Sequence, residues 1–156
     1  MERTEISPNS NNEKENKGNK NKKFVLKYMV EKENTKTELF SSNFIANNKG
    51  KCYLIIDGNE SELNQNYVFS QKGEHIVILV LTDDNINFTK MFSTYSYSHF
   101  SGSFSSDYNS YLVDISGLGN LDVSKCKDLC GMFNGRNNIK NFDCLKNWNV
   151  SNCLNF

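Results

Sequence analysis

Two stretches of this chain repeat one another at a fixed offset, and that limits the available folds more than any other feature. Val123-Ser124-Lys125-Cys126-Lys127-Asp128-Leu129 is matched by Val150-Ser151-Asn152-Cys153-Leu154-Asn155-Phe156, 27 residues later. Carried backwards, the same offset pairs Leu121 with Trp148, Leu118 with Leu145, Ile115 with Phe142 and Leu112 with Ile139. Apolar positions fall on apolar positions along the whole unit. A period of roughly 20–30 residues with apolar residues at such spacings is the signature of a solenoid, in which one coil buries its face only against the next. The expected ladder is therefore Leu112, Ile115, Leu118, Leu121, Val123, Cys126 and Leu129 in one coil. Ile139, Phe142, Leu145, Trp148, Val150, Cys153 and Phe156 lie over them in the next.

Upstream the texture is different. Residues 24–30 are rich in β-formers and stop at the charged stretch 31–35, which reads as a strand. A shorter strand at 37–40 would make a hairpin with it. Residues 41–48 suit a short helix capped by Ser42 or Asn43 and closed at Gly50. Cys52–Ile56 is an apolar run ending in Asp57-Gly58, a strong hairpin-turn signal. Residues 61–63 return from it, 67–69 are extended, and 75–81 are apolar on both faces, as a central strand would be. Residues 1–22 hold too few apolar groups to offset the entropy of ordering, so they read as a disordered polar tail. The expected organisation is a tail at 1–22, a strand-rich module at 23–83 and repeats at 84–156. The fold class is α+β, mostly β: a small strand-rich module followed by a short, truncated leucine-rich-type solenoid.

The repeat also carries a family likeness. Asp114-Ile115-Ser116, the run Leu121–Phe133, Trp148-Asn149-Val150-Ser151-Asn152 and Phe88-Thr89-Lys90-Met91-Phe92 resemble the repeat unit of BspA-like leucine-rich surface proteins. The stretch from Glu38 to Gly58 is similar to the strand-rich module that precedes such repeats in protist members. Cys126 and Cys153 stand where that unit usually has Val, and Gly119 and Leu121 replace the tryptophan neighbourhood in the first unit. The resemblance implies adhesion or recognition, with no catalysis and no cofactor. It also implies an uncapped coil at Phe156, open to self-association, unless the chain is a fragment of a longer repeat protein without separate function.

Charge and cysteine usage exclude further classes. Lys plus Arg equal Asp plus Glu at 18 each, so no global field attracts nucleic acid. No apolar run is long enough to span a membrane, and the polar start lacks a signal-peptide core, so a cytoplasmic location is expected despite the surface-protein likeness. The five cysteines, an odd count without an export signal, argue for reduced thiols. Stacked coils would nevertheless bring Cys126 and Cys153 within disulfide reach. An alternative function is a zinc or redox protein using Cys126, Cys130, Cys144 and Cys153; the register places two of these in core rungs, which favours packing. His75 and His99 lack a partner motif, Asp57 and Asp83-Asp84 suit turns, and Gly117-Leu118-Gly119 lacks the third glycine of a dinucleotide fingerprint. The Asn-x-Ser/Thr triplets at 59, 87 and 149 read as accidents of an asparagine-rich chain.

One segment has the composition of a contact surface. Tyr95, Tyr97, His99, Phe100, Phe104, Tyr108 and Tyr111 are interleaved with Ser and Gly, a mixture that suits adaptable binding. They form the expected partner-contact loop of a non-catalytic protein-interaction module, whose protein partner the residues do not specify.

Overall fold

The strand β1 (Lys23–Val30) shows why the first half folds as a sheet. Its residues alternate between exposed and buried, with Phe24, Leu26, Tyr28 and Val30 turned inward, the period of a strand with one face on a core. The computed structural model describes residues 18–94 and 110–155. Among these, β2 (Thr35–Glu38), α1 (Ser42–Asn48), β3 (Cys52–Ile56), β4 (Asn59–Glu62), β5 (Asn66–Phe69), β6 (Gly73–Leu81) and β7 (Leu112–Asp114) follow in order. A five-stranded antiparallel sheet has the order β4-β3-β6-β1-β7, and β2 pairs with β5 in a separate two-stranded sheet.

The apolar run 75–81 takes the centre, as its two-sided hydrophobicity requires. Register places Leu54, Leu79 and Phe24 in one row across three strands, and Ile56, Val77 and Leu26 in the next. All six are buried, each contributing about 1.5–3 kcal/mol of transfer free energy. The Asp57-Gly58 turn joins β3 to β4 with both residues at positive φ, 48° and 86°, the two-residue hairpin geometry that follows strand twist. The α1 cap is Ser41, one residue before the expected position, and its Oγ accepts from Phe44 N at 3.1 Å. The expected β1–β2 hairpin does not form: β1 is already flanked by β6 and β7, so β2 pairs with β5.

The expected leucine-rich solenoid is a correction. The described residues form mostly a small antiparallel sheet with one α-helix, and no ladder of coil strands follows it. The strand of the first 27-residue unit, β7, pairs with β1 in the N-terminal sheet instead of with the second unit. The rest of both units is turns and two short 3₁₀ segments, Ser116–Asn120 and Asp143–Asn147. One isolated parallel bridge, Asp128 to Asn155, joins them. The reason is competition for the same apolar face. Ile115, Leu118, Leu121 and Val123 belong to the same continuous core as Phe24, Leu26 and Leu79, so the sheet takes the place of a preceding coil. Gly117 allows this close approach: a β-carbon there would collide with the Val25 backbone.

Three tethers hold the two halves in one core. Phe44, Phe40, Phe92, Phe133 and Phe142 form a chain of ring contacts 5.3–5.5 Å apart, leading from α1 to the second unit. Asn19, within the stretch expected to be a disordered tail, is buried and clamps Asp122 in both directions. Its Nδ2 donates to Asp122 O at 2.7 Å, and its Oδ1 accepts from Asp122 N at 2.8 Å. Arg136 supplies the third.

Candidate interaction groove

The two units use the same local chemistry. In each, an Asp or Asn side chain accepts from the backbone N–H two residues on, forming an Asx turn. In the first unit Asp114 Oδ1 meets Ser116 N at 2.7 Å and Asp122 Oδ1 meets Ser124 N at 3.0 Å. In the second, Asn141 and Asn149 do the same to Asp143 N and Ser151 N, at 2.6 and 3.2 Å. The units lie side by side, joined by Cys144 Sγ to Ile115 O at 3.3 Å, Trp148 Nε1 to Leu118 O at 3.0 Å and Asn152 Nδ2 to Ser124 O at 2.7 Å.

Equivalent positions differ sharply in cover. In the first unit Ile115, Leu118, Leu121 and Val123 are 0–3% exposed, sealed between the sheet and the second unit. Their counterparts Leu145, Trp148 and Val150 are only partly buried, and Phe142 is 44% exposed. Leu129, Met132, Phe133, Leu145, Trp148 and Val150 line an apolar groove of about 700 Å³, with Lys146 and Asn134 also in its lining. The groove is an aromatic, methionine-containing apolar depression.

Of the expected contact loop, Tyr95, Tyr97, His99, Phe100, Phe104 and Tyr108 lie outside the described residues. Tyr111 is partly buried, immediately before β7, and its carbonyl accepts from Met29 N at 2.8 Å. Of the expected ladder, Leu112, Leu129 and Ile139 join the core with the four first-unit residues above. Cys126 and Cys153 are partly buried beside it, and Phe156 lies outside the described residues.

Polar groups gather elsewhere. A second cavity of about 250 Å³ is lined by Asn19, Asp84, Asp122, Lys125 and Cys126 among others. The Lys20 backbone N–H, followed by that of Asn19, holds the Asp84 carboxyl below the usual range. The Ser124 hydroxyl does the same for Asp122. Burial pushes the Cys126 thiol up to about 11 and raises that of Cys144 as well. Among the described residues no group of three or more His, Cys, Asp or Glu is placed to hold a metal ion.

Two polar arrangements had no signal in their local sequence. His75 Nδ1 lies 2.6 Å from Asp57 Oδ2, and its Nε2 lies 2.9 Å from Gln71 O. The ring stacks on Phe69 at 4.2 Å. With both nitrogens engaged, the imidazole braces two turns and presents no free nitrogen to a substrate. Arg136 is 4% exposed, in a loop whose local sequence reads as solvated. Both residues depend on contacts distant in sequence, which no local pattern encodes.

With this geometry in hand, comparison with known proteins finds no matching family model, curated protein or solved structure. Among the described residues no helix is long and apolar enough to cross a membrane.

Proposed function

We propose that the chain is a non-catalytic protein-interaction module that docks another polypeptide in the groove between residues 129–134 and 145–150, with a second copy of the chain as the occupant. One observation carries the reading: at four pairs of equivalent positions, Ile115/Phe142, Leu118/Leu145, Leu121/Trp148 and Val123/Val150, the side chain is sealed in the first unit and open in the second. The first unit shows what such a face does when it has a neighbour. The balance of 18 basic and 18 acidic residues leaves no net charge to keep two copies apart. The likeness of the repeat motif to BspA-like surface proteins, whose larger members serve adhesion or recognition, supports the same class of function.

The test is mass in solution, by light scattering over a range of concentrations, on the full chain. The mass should rise with concentration towards that of a dimer. A Leu145→Ser/Val150→Ser variant, altered at two groove-lining positions, should stay monomeric, with its circular dichroism spectrum retained. A wild-type chain that remains monomeric throughout, with unchanged Trp148 fluorescence, would reject a second copy as the occupant.

A further inference from the structure

The two units also place a pair of thiols in register. Cys126 and Cys153 occupy equivalent positions, and each donates its backbone N–H to the carbonyl three residues back, Val123 and Val150, at 2.9 Å. Cross-unit hydrogen bonds bracket the pair. Asn152 Nδ2 donates to Ser124 O at 2.7 Å on one side; Leu154 N donates to Lys127 O at 2.8 Å and Leu129 N to Asn155 O at 3.0 Å on the other. Backbones paired in this way run about 4.8 Å apart, inside the roughly 4.4–6.8 Å Cα range of disulfides. Both side chains are partly buried against the same core and neither is in a disulfide; Cys153 Sγ donates to Asn155 O at 3.0 Å, a contact it would give up on closure.

We propose that Cys126 and Cys153 are a reversible redox clasp, closing to an intramolecular disulfide by exchange with a low-molecular-weight disulfide. The thiolate of Cys153 attacks one sulfur of the oxidant, forming a mixed disulfide and releasing one small thiolate. The Cys126 thiolate then attacks Cys153 Sγ, forming the internal S–S bond and releasing the second. Two protein thiols are oxidised, the small disulfide is reduced to two thiols, and the two sulfhydryl protons pass to those products. Burial pushes the Cys126 thiol up to about 11, so the thiolate available for the second step grows, and closure quickens, as pH rises.

The remaining thiols are placed differently. Cys52 is buried in the sheet, and Cys144 packs on the Ile115 carbonyl. Cys130 is exposed, and its carbonyl accepts from Lys90 N at 3.3 Å on the other side of the turn. The closed clasp joins the ends of a 27-residue loop, which restricts the unfolded chain, and it fixes the second unit against the first. The inference stands without the docking reading.

The test is to incubate the full chain with oxidised glutathione, alkylate the remaining thiols and map peptides by mass spectrometry without reduction. The expected result is monomeric protein with a linked Cys126–Cys153 peptide pair, and alkylated Cys52, Cys130 and Cys144. Its thermal midpoint should rise and return to the starting value on adding a dithiol reductant. Cys126→Ser and Cys153→Ser should each abolish both effects, and Cys130→Ser should keep them. Linkage through Cys130 or Cys144, cross-links only between chains, or glutathione adducts without a linked pair would overturn the proposal. The wild-type map decides the matter even if a serine variant fails to fold.

Discussion

Arg136 is the residue on which the junction of the two halves turns. Its Nε donates to Phe92 O at 2.7 Å, Nη1 to Glu38 O at 3.0 Å and Nη2 to Leu39 O at 3.2 Å. Leu39 O also accepts from the buried Tyr28 hydroxyl at 2.9 Å. Burial lowers the Arg136 pKa, while Tyr28 and Glu38 oppose that shift, and a guanidinium stays charged regardless. Carbonyl dipoles solvate this cation in place of water. Arg136→Met should therefore cost about 3–5 kcal/mol, since it removes the guanidinium donor from the Phe92 and Glu38 carbonyls and leaves Leu39 O with Tyr28 alone. Chemical denaturation would measure the loss. Arg136→Lys should recover only part of it, because a single ammonium cannot span three diverging carbonyls. The one sequence sign of this role is compositional: apart from Arg3 and Arg136, the chain uses lysine for every such cation.

At the scale of elements, the paired Asx turns make acid sensitivity unequal between the units. The backbone N–H of Ser116 lowers the Asp114 pKa, and the Ser124 hydroxyl lowers that of Asp122. A carboxyl whose folded pKa lies below its unfolded value of about 3.9 stabilises the fold above that pH, and the stabilisation is lost as pH falls through the folded pKa. The second unit uses Asn141 and Asn149 at the same places and has no such dependence. Asp114→Asn/Asp122→Asn should flatten the fall of the thermal midpoint as pH drops below about 4; an unchanged slope would mean these turns do not set it. The same elements show what the sequence could reveal. Strands β1, β3 and β6 and the Asp57-Gly58 turn are legible because alternation and turn chemistry act over a few residues. The repeat is legible as two segments that fold alike, so Leu145, Trp148 and Val150 could be marked as one surface. What covers each segment is not legible. Pairing of β7 with β1, and of β2 with β5, is decided by contacts between distant residues. That pairing turned an expected solenoid into a sheet with two appended turns.

For the molecule as a whole, the question is whether the sheet and the repeat units are one thermodynamic body or two. The apolar core is continuous from Phe24 and Leu79 through Phe92 to Leu118 and Leu129. Arg136 and Asn19 span the same junction with hydrogen bonds between residues about a hundred positions apart in sequence. Neither half could keep its buried face if the other left, so a single cooperative transition is expected. Probes for each half are built in. Trp148, the only tryptophan, belongs to the second unit, and the far-ultraviolet circular dichroism signal is dominated by the sheet. In a denaturant titration the two signals should change together, with one midpoint. Leu79→Ala, in the central strand, should lower both midpoints equally and cost about 2–5 kcal/mol. A Trp148 transition that precedes loss of the sheet would mean that the ring contacts from Phe40 to Phe142 are too weak to couple the halves. The second unit would then be an appendage that opens alone.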